Sequence, residues 1–336
     1  MERRKVQSRR IMCGNRKMNP EKSPVSLVGM KHSFGERIIP NSEIENKYDL
    51  PNGWIMEKTG KEKGHAWDNG PDAPIEVSLK CLNLLLEQEG VDKSDIKAVF
   101  GTTNPITVDG KVDISLTQKF VDKAGFDPSV KVSNEGFGCG GAAVGIDSMC
   151  KWLQNQPEGT YAIYVTQDWP TKMVRTRNVE ALFSDAVSVS LWMNGNGGIM
   201  EVTDVFSVES TIADRALGIV GGYWEMNGKE VSESASAVPK LVAEKLGIDL
   251  RDYDIVPHQP NAKLLETIEK IYNVELYKEV ARKHGNPTCS GAFIALEKVL
   301  EGRIGKASPD LEKDILVMPF GAGGVGGFIL RKRDKK

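Results

Sequence analysis

The sequence predicts an α/β protein built from two similar halves, and three observations carry that reading. Helical and strand-like patterns alternate along the chain, their order occurs twice, and each copy holds a cysteine-led, glycine-containing segment that opens a helix. Alternation of this kind implies βαβ crossovers and sheets covered by helices.

The first helical pattern spans residues 77–89 and ends at Gly90, which takes the left-handed conformation of a helix C-terminus at little cost. Gly90-Val-Asp-Lys-Ser-Asp95 then leads into a β-branched strand at 98–101. Cys139-Gly-Gly-Ala142 opens an amphipathic helix ending near Leu153, and apolar strands follow at 161–165 and 187–192. The second half repeats these steps. A helical pattern at 235–246 closes at Gly247, and Gly247-Ile-Asp-Leu-Arg-Asp252 leads into a strand at 254–257. Cys289-Ser-Gly-Ala292 opens a helix ending near Leu300, with strands at 315–320 and 327–330. A repeat of about 150 residues is too long for a solenoid and fits two packed α/β halves. The expected division is a disordered basic extension over 1–24, a first half over 25–195 and a second over 196–331.

Bulk properties narrow the function classes. The 336 residues are 40% hydrophobic and 27% charged, ordinary for a folded globular chain. A net charge of −2 gives no reason to expect nucleic acid or an anionic membrane as partner. No apolar run approaches the roughly 18 residues of a membrane span. The five cysteines form no CxxC pair and are odd in number, against a zinc ribbon or a disulfide framework, so a reducing cytoplasm is expected. The first 22 residues carry eight Lys or Arg against two Glu and no apolar core of a secretory signal. They read as a basic tail, as sequence ahead of a start at Met18, or as an Arg-rich targeting peptide.

Few residues are candidates for chemistry. Cys139 lies between glycines in Gly136-Phe-Gly-Cys-Gly-Gly141, just before a helix whose N-terminal dipole and free N–H groups favour a thiolate and can hold an oxyanion. An inert buried cysteine in a tight helix–sheet contact fits the same residues. His258 is one of four histidines and ends a strand in Val256-Pro-His-Gln-Pro-Asn261, where α/β proteins place functional groups; capping the helix that begins near Ala262 is its plain alternative. Asn286, in His284-Gly-Asn-Pro-Thr-Cys289, either donates its amide to a carbonyl or caps the helix that follows. Gly321-Ala-Gly-Gly-Val-Gly-Gly327 matches a dinucleotide fingerprint literally, but no helix and no acidic residue about 20 positions on can follow it before Lys336. The glycines therefore serve another end, such as letting backbone pass close to a ligand.

Taken together, these segments resemble the β-ketoacyl-acyl-carrier-protein synthase III family of thiolase-fold enzymes, over residues 25–331. The carriers are Cys139, the His-Gln-x-Asn stretch at 258–261, the His-Gly-Asn stretch at 284–286 and the glycine-rich ending at 320–327. Met226-Asn-Gly-Lys-Glu-Val231 is similar to the family's segment before the second-half helix. The resemblance implies a layered α-β-α-β-α thiolase fold and a homodimer. It implies Cys139 as acyl acceptor, with His258 and Asn286 holding the thioester of a malonyl- or β-ketoacyl-type partner for a decarboxylative Claisen condensation. Backbone N–H groups of Cys139 and Ala322 would form the oxyanion hole. Trp54, Lys58, Asn261 and Phe320 would meet substrate or coenzyme A, and Lys263 would help dock an acyl carrier protein. No metal or other cofactor is implied.

The chain departs from the family at four places. Lys58 and Lys263 stand where Arg is usual, and Lys lacks the planar stacking of a guanidinium. Phe183-Ser-Asp-Ala186 replaces a Phe-Gly-Asp-Gly stretch, and Pro287 follows Asn286 where Thr is usual. These changes point to a specialised lipid or polyketide pathway. The competing reading is an acyltransferase that moves the Cys139 acyl group onto an alcohol or amine; a basic Asp at position 286 would suit it better than Asn does. A catalytically silent partner subunit is the third, but such chains tend to lose the nucleophile that this one keeps.

Overall fold

The computed structural model describes residues 14–18, 22–70, 72–103, 115–172, 176–208, 217–220, 223–302, 313–321 and 324–332. Up to the middle of the chain the elements are β1 (Gly14–Lys17), β2 (Val25–Phe34), β3 (Arg37–Pro40), α1 (Asn41–Lys47), α2 (Trp54–Thr59), β4 (Lys63–Ala66) and α3 (Ala73–Glu89). Then come β5 (Ile96–Thr103), α4 (Ser115–Ala124), β6 (Lys131–Phe137), α5 (Gly141–Leu153), β7 (Tyr161–Asp168), α6 (Arg177–Glu180) and β8 (Ala186–Asn194). The second half holds β9 (Met200–Val208), β10 (Leu217–Val220), β11 (Tyr223–Met226), α7 (Gly228–Leu246), β12 (Tyr253–Pro257) and α8 (Ala262–Tyr272). It ends with α9 (Glu279–His284), α10 (Gly291–Leu300), β13 (Asp314–Met318), β14 (Phe320–Gly321) and β15 (Gly324–Lys332).

The repeat read from the sequence is a repeat of topology. In the first half β5 runs parallel to β7, β7 antiparallel to β8, and β8 antiparallel to β2. In the second, β12 runs parallel to β13, β13 antiparallel to β15, and β15 antiparallel to β9. The order β2-β8-β7-β5 is thus matched, strand by strand and direction by direction, by β9-β15-β13-β12. Local detail repeats too. Gly90 and Gly247 close α3 and α7 at φ 64° and 68°. Asp92 and Asp249 each accept a backbone N–H two residues on, at 2.8 Å from Ser94 and 3.0 Å from Arg251, which turns the chain into the strand.

Alternation along the strands sorts the core into layers. On β7, Ala162 and Tyr164 join one buried cluster while Ile163 and Val165 join another, as a two-residue period requires. The cluster between the halves is filled by α5 and α10 (Ile146 and Met149 from one, Ile294 and Leu296 from the other), which form the central helical layer. Helices α3 and α4 cover the outer face of the first half, and α7 and α8 that of the second, which gives the α-β-α-β-α order. The two half-sheets are also joined by hydrogen bonds, because β2 pairs with β9 at Val25–Val202, Ser26–Glu201 and Leu27–Met200.

Three expectations need correction. The extension over 1–24 is not wholly unstructured: Gly14–Lys17 pair antiparallel with Asp204–Ser207 of β9, since an open strand edge accepts backbone whatever its side chains. Helix α7 begins seven residues before the pattern at 235, with Asn227 accepting from Glu230 N–H at 3.4 Å. Its first two turns are exposed or half-buried and so carry no apolar period. Cys139 does stand just before its helix, α5, whereas Cys289 lies not in a helix but in a single 3₁₀ turn, Thr288–Ser290, ahead of α10.

Candidate active site

Cys139 is placed by backbone that only glycine tolerates. Gly138 turns the chain at φ 66°, and a Cβ at Gly140 would fall 1.9 Å from the carbonyl oxygen of Gly324. Gly321, at φ 140°, comes so near that a Cβ there would stand 2.7 Å from the Cys139 Cβ. The glycine-rich ending therefore lies directly against the cysteine, as the need for close backbone approach predicts. Phe320, in the same segment, meets the His258 ring edge-on with centroids 5.3 Å apart. Cys139, Phe320–Gly321 and His258 are one cluster at the ends of strands from both halves.

His258 follows β12 and donates its backbone N–H to Met318 at 2.8 Å, at the end of β13. The ring is 3% exposed, and Nδ1 has no hydrogen-bond partner among the described residues. Burial brings its pKa down to about 3, so the imidazole is neutral at physiological pH. A buried, unpaired imidazole nitrogen is a group waiting for a partner that substrate can supply.

Asn286 is fixed by its backbone and by one end of its amide. Its N–H donates to Leu182 O at 2.8 Å, and its carbonyl accepts from Ser184 N–H at 3.0 Å. Oδ1 accepts from Thr288 N–H at 2.9 Å, which leaves the two Nδ2 hydrogens for another acceptor. Behind this turn lies Asp168, fully buried at the end of β7. Its carboxylate receives Thr288 Oγ1, the Cys289 thiol at 2.8 Å and Ser290 N–H at 2.7 Å, tying the start of α10 to the first half. Burial pushes Asp168 up to about 6 against the pull of those bonds.

The thiolate expectation for Cys139 is not met. The side chain is 8% exposed; burial, with the Asp168 charge adding to it, pushes the thiol well above its ordinary value, and its own backbone N–H opposes this only weakly. The helix N-terminus is present, but desolvation wins. Cys81, Cys150 and Cys289 are buried as well, and each thiol is likewise raised by burial.

The remaining expected residues fall on a second face. Trp54 opens α2 beneath the Arg177 guanidinium, 5.5 Å from its ring centroid. Lys58 is exposed and paired with Glu57, and Lys263 on α8 is exposed and paired with Glu266. The two helices meet at Gly60, whose Cβ would lie 3.0 Å from Ala262 Cβ and 3.9 Å from Lys263 Cγ. Asn261 commits its side-chain oxygen to capping α8, accepting from Leu264 N–H at 2.7 Å. Ala322 lies outside the described residues.

The sequence reading missed Asp168, His65, Arg177 and Lys61. Lys61 is 1% exposed, with no hydrogen-bond partner for Nζ among the described residues and a pKa brought down to about 7 by burial. Its Cδ occupies the space a Cβ at Gly285 would need, 2.5 Å away. Nothing in the sequence around Lys61 marks it as buried, because its neighbours Lys63 and Glu62 are charged as well.

No family model matches the chain. A β-ketoacyl-[acyl-carrier-protein] synthase III of Syntrophomonas wolfei is 24% identical over 334 residues, covering 91% of this chain and 97% of its own. Among solved structures, 3-oxoacyl-(acyl carrier protein) synthase III of Pseudomonas aeruginosa superposes with a TM-score of 0.77 at 17% identity, over 93% of this chain and 99% of its own. The priming β-ketosynthase of the R1128 polyketide pathway does so with a TM-score of 0.74 at 18% identity, over 94% and 98%. Fold and site together define a thiolase-fold protein. Over about nine-tenths of its length the chain is similar to β-ketoacyl-[acyl-carrier-protein] synthase III enzymes, and it shares their fold.

Proposed function

We propose that the protein joins two acyl thioesters by decarboxylative Claisen condensation, with Cys139, His258 and Asn286 as its catalytic residues. The observation that carries this reading is the meeting of Cys139, the glycine-rich ending and His258 at the junction of the halves. In the first step the Cys139 sulfur attacks the carbonyl of an acyl thioester, its proton passes to the departing thiol, and the acyl group stays on the cysteine. His258, neutral in the free protein and in contact with the Phe320–Gly321 segment that lies against Cys139, is the base proposed to carry that proton. In the second step a malonyl-type thioester loses carbon dioxide, and the electron pair of the broken bond becomes an enolate. His258 and the Nδ2 hydrogens of Asn286 stabilise its oxygen. The enolate carbon attacks the Cys139-bound carbonyl and expels the cysteine sulfur, giving a β-ketoacyl thioester.

Coenzyme A or an acyl carrier protein would deliver the acyl groups across the Trp54, Lys58 and Lys263 face, with Arg177 over the Trp54 ring supporting a role in binding a planar group. Lys in place of Arg at 58 and 263 supports a specialised lipid or polyketide pathway. A soluble cytoplasmic homodimer is the form proposed. The test combines mass spectrometry of the intact protein after exposure to acyl thioesters with release of labelled carbon dioxide from malonyl thioesters. Wild type should gain the acyl mass, and Cys139→Ala should not. Asn286→Ala should still acylate but release carbon dioxide about 100- to 1000-fold more slowly. Acylation without decarboxylation of any donor, followed by transfer to an alcohol or amine, would replace condensation with simple acyl transfer.

A further inference from the structure

His65 and His284 meet beside the segment that carries Asn286, and one arrangement of neutral rings fits their contacts. The Gly35 carbonyl can only accept, so His65 Nδ1, 3.0 Å away, carries the hydrogen. In a neutral ring His65 Nε2 then has only a lone pair to offer. His284 Nδ1, 3.0 Å from it, must supply the N–H. The result is a directed chain from His284 through His65 to Gly35, in which both rings are neutral. Phe34 stacks on both, at 4.2 Å from His284 and 4.9 Å from His65, with interplanar angles of 22° and 30°. A third histidine, His32, meets Phe34 edge-on and is held by Glu297 at 2.7 Å. Burial lowers the pKa of both paired rings, and the charge of Lys63 adds to it, which favours the neutral form of each.

The backbone repeats the connection. His65 N–H donates to Ser184 Oγ at 3.1 Å, and that hydroxyl donates to the His284 carbonyl. Ser184 N–H donates to the Asn286 carbonyl at 3.0 Å, and Asp185 N–H donates to His65 O at 2.9 Å. Gly285, between the paired histidine and the asparagine, sits at φ 78° with Lys61 and the Leu182 carbonyl filling the space beside it. The segment can therefore shift only if the His65 contacts yield.

We infer that His65 is a positioning residue for Asn286, acting through the His65–His284 hydrogen bond and Ser184. The inference rests on the proposed role of Asn286 as an enolate donor. It predicts a half-reaction split, because decarboxylation depends on where the Asn286 amide stands and acylation of Cys139 does not. A displacement of about 1 Å in a catalytic group costs on the order of 100-fold.

The experiment compares wild type, His65→Phe, which keeps a ring against Phe34 but removes both side-chain bonds, and His65→Gln, whose amide offers a donor and an acceptor. Carbon dioxide release should fall about 10- to 100-fold in His65→Phe, recover most of the way in His65→Gln, and leave Cys139 acylation within about threefold in both. In ¹⁵N spectra, His65 and His284 of wild type should both show the Nδ1–H tautomer. The Asn286 side-chain amide, assigned with Asn286→Asp, should shift in His65→Phe. Unchanged decarboxylation together with an unchanged Asn286 resonance overturns the inference, and so does equal loss of both half-reactions with a fallen melting temperature. If wild type itself releases no carbon dioxide, the functional reading fails, and the tautomers and the Asn286 resonance alone decide the positioning role.

Discussion

At the scale of single residues, burial decides more than sequence neighbours do. His258 and His284 both have pKa values lowered to about 3 by burial, against about 6.5 in an unfolded chain. The unfolded state therefore binds more protons between those values. The stability these neutral rings represent is complete above pH 6.5 and is lost as pH falls toward 3. Denaturant titrations from pH 7 to 4 should show that decline, and His258→Gln should make it shallower. For the same reason His258 itself should add no inflection near 6.5 to carbon dioxide release by wild type, because it stays neutral through that range. Lys61 gives the opposite end of the scale. Its pKa of about 7 lies below the unfolded value of about 10.4, so stability should rise with pH between the two. Lys61→Met removes a buried amine that has no hydrogen-bond partner among the described residues and keeps an unbranched side chain of similar size. It should abolish that rise and stabilise the fold at pH 7 by on the order of 2 kcal/mol, read from urea unfolding at pH 7 and 9.

Among elements, the starts of α5 and α10 are related by the repeat yet hold different chemistry. Before α5 the chain leaves Cys139 against Gly321, whereas before α10 the equivalent Cys289 gives its thiol to Asp168. The repeated pattern alone treats these cysteines alike; the partner each one meets separates them. The glycine contacts make this testable. Gly140→Ala would force a methyl into the Gly324 carbonyl, at a distance no Cβ tolerates. It should cost about 1–3 kcal/mol of stability and lower Cys139 acylation by roughly 10-fold, because the ending must move off the cysteine. Gly228→Ala, whose Cβ would meet nothing within 4 Å, serves as the control and should match wild type in both measurements. Strand β6 is an edge: it pairs with β5 on one side and with no other described strand.

In the whole molecule, that edge is where two copies of this chain can add strand to strand, which supports the proposed homodimer. Sedimentation should give twice the 36.9 kDa mass of the chain, and Val132→Pro on β6 should shift it toward the monomer. A monomeric wild type would remove the dimer while leaving the site within one chain intact. The sequence by itself determined the duplication, the glycines that end α3 and α7, and the candidacy of Cys139, His258 and Asn286. Each of these is written in local pattern: a period of 3.6 or 2, a residue able to take positive φ, or a reactive side chain at a strand or helix end. Tertiary structure alone decided that β2 and β9 join the half-sheets, and that residues 14–17 pair with β9. It also decided that Cys139 is a neutral thiol, and that Asp168, Lys61 and His65 stand around the Asn286 loop. Those outcomes depend on desolvation and on contacts between residues more than 100 positions apart, such as Asp168 with Ser290 and His65 with His284. Neither has a signature in the spacing of residues along the chain, because burial is a property of the packed layers and not of any segment within them.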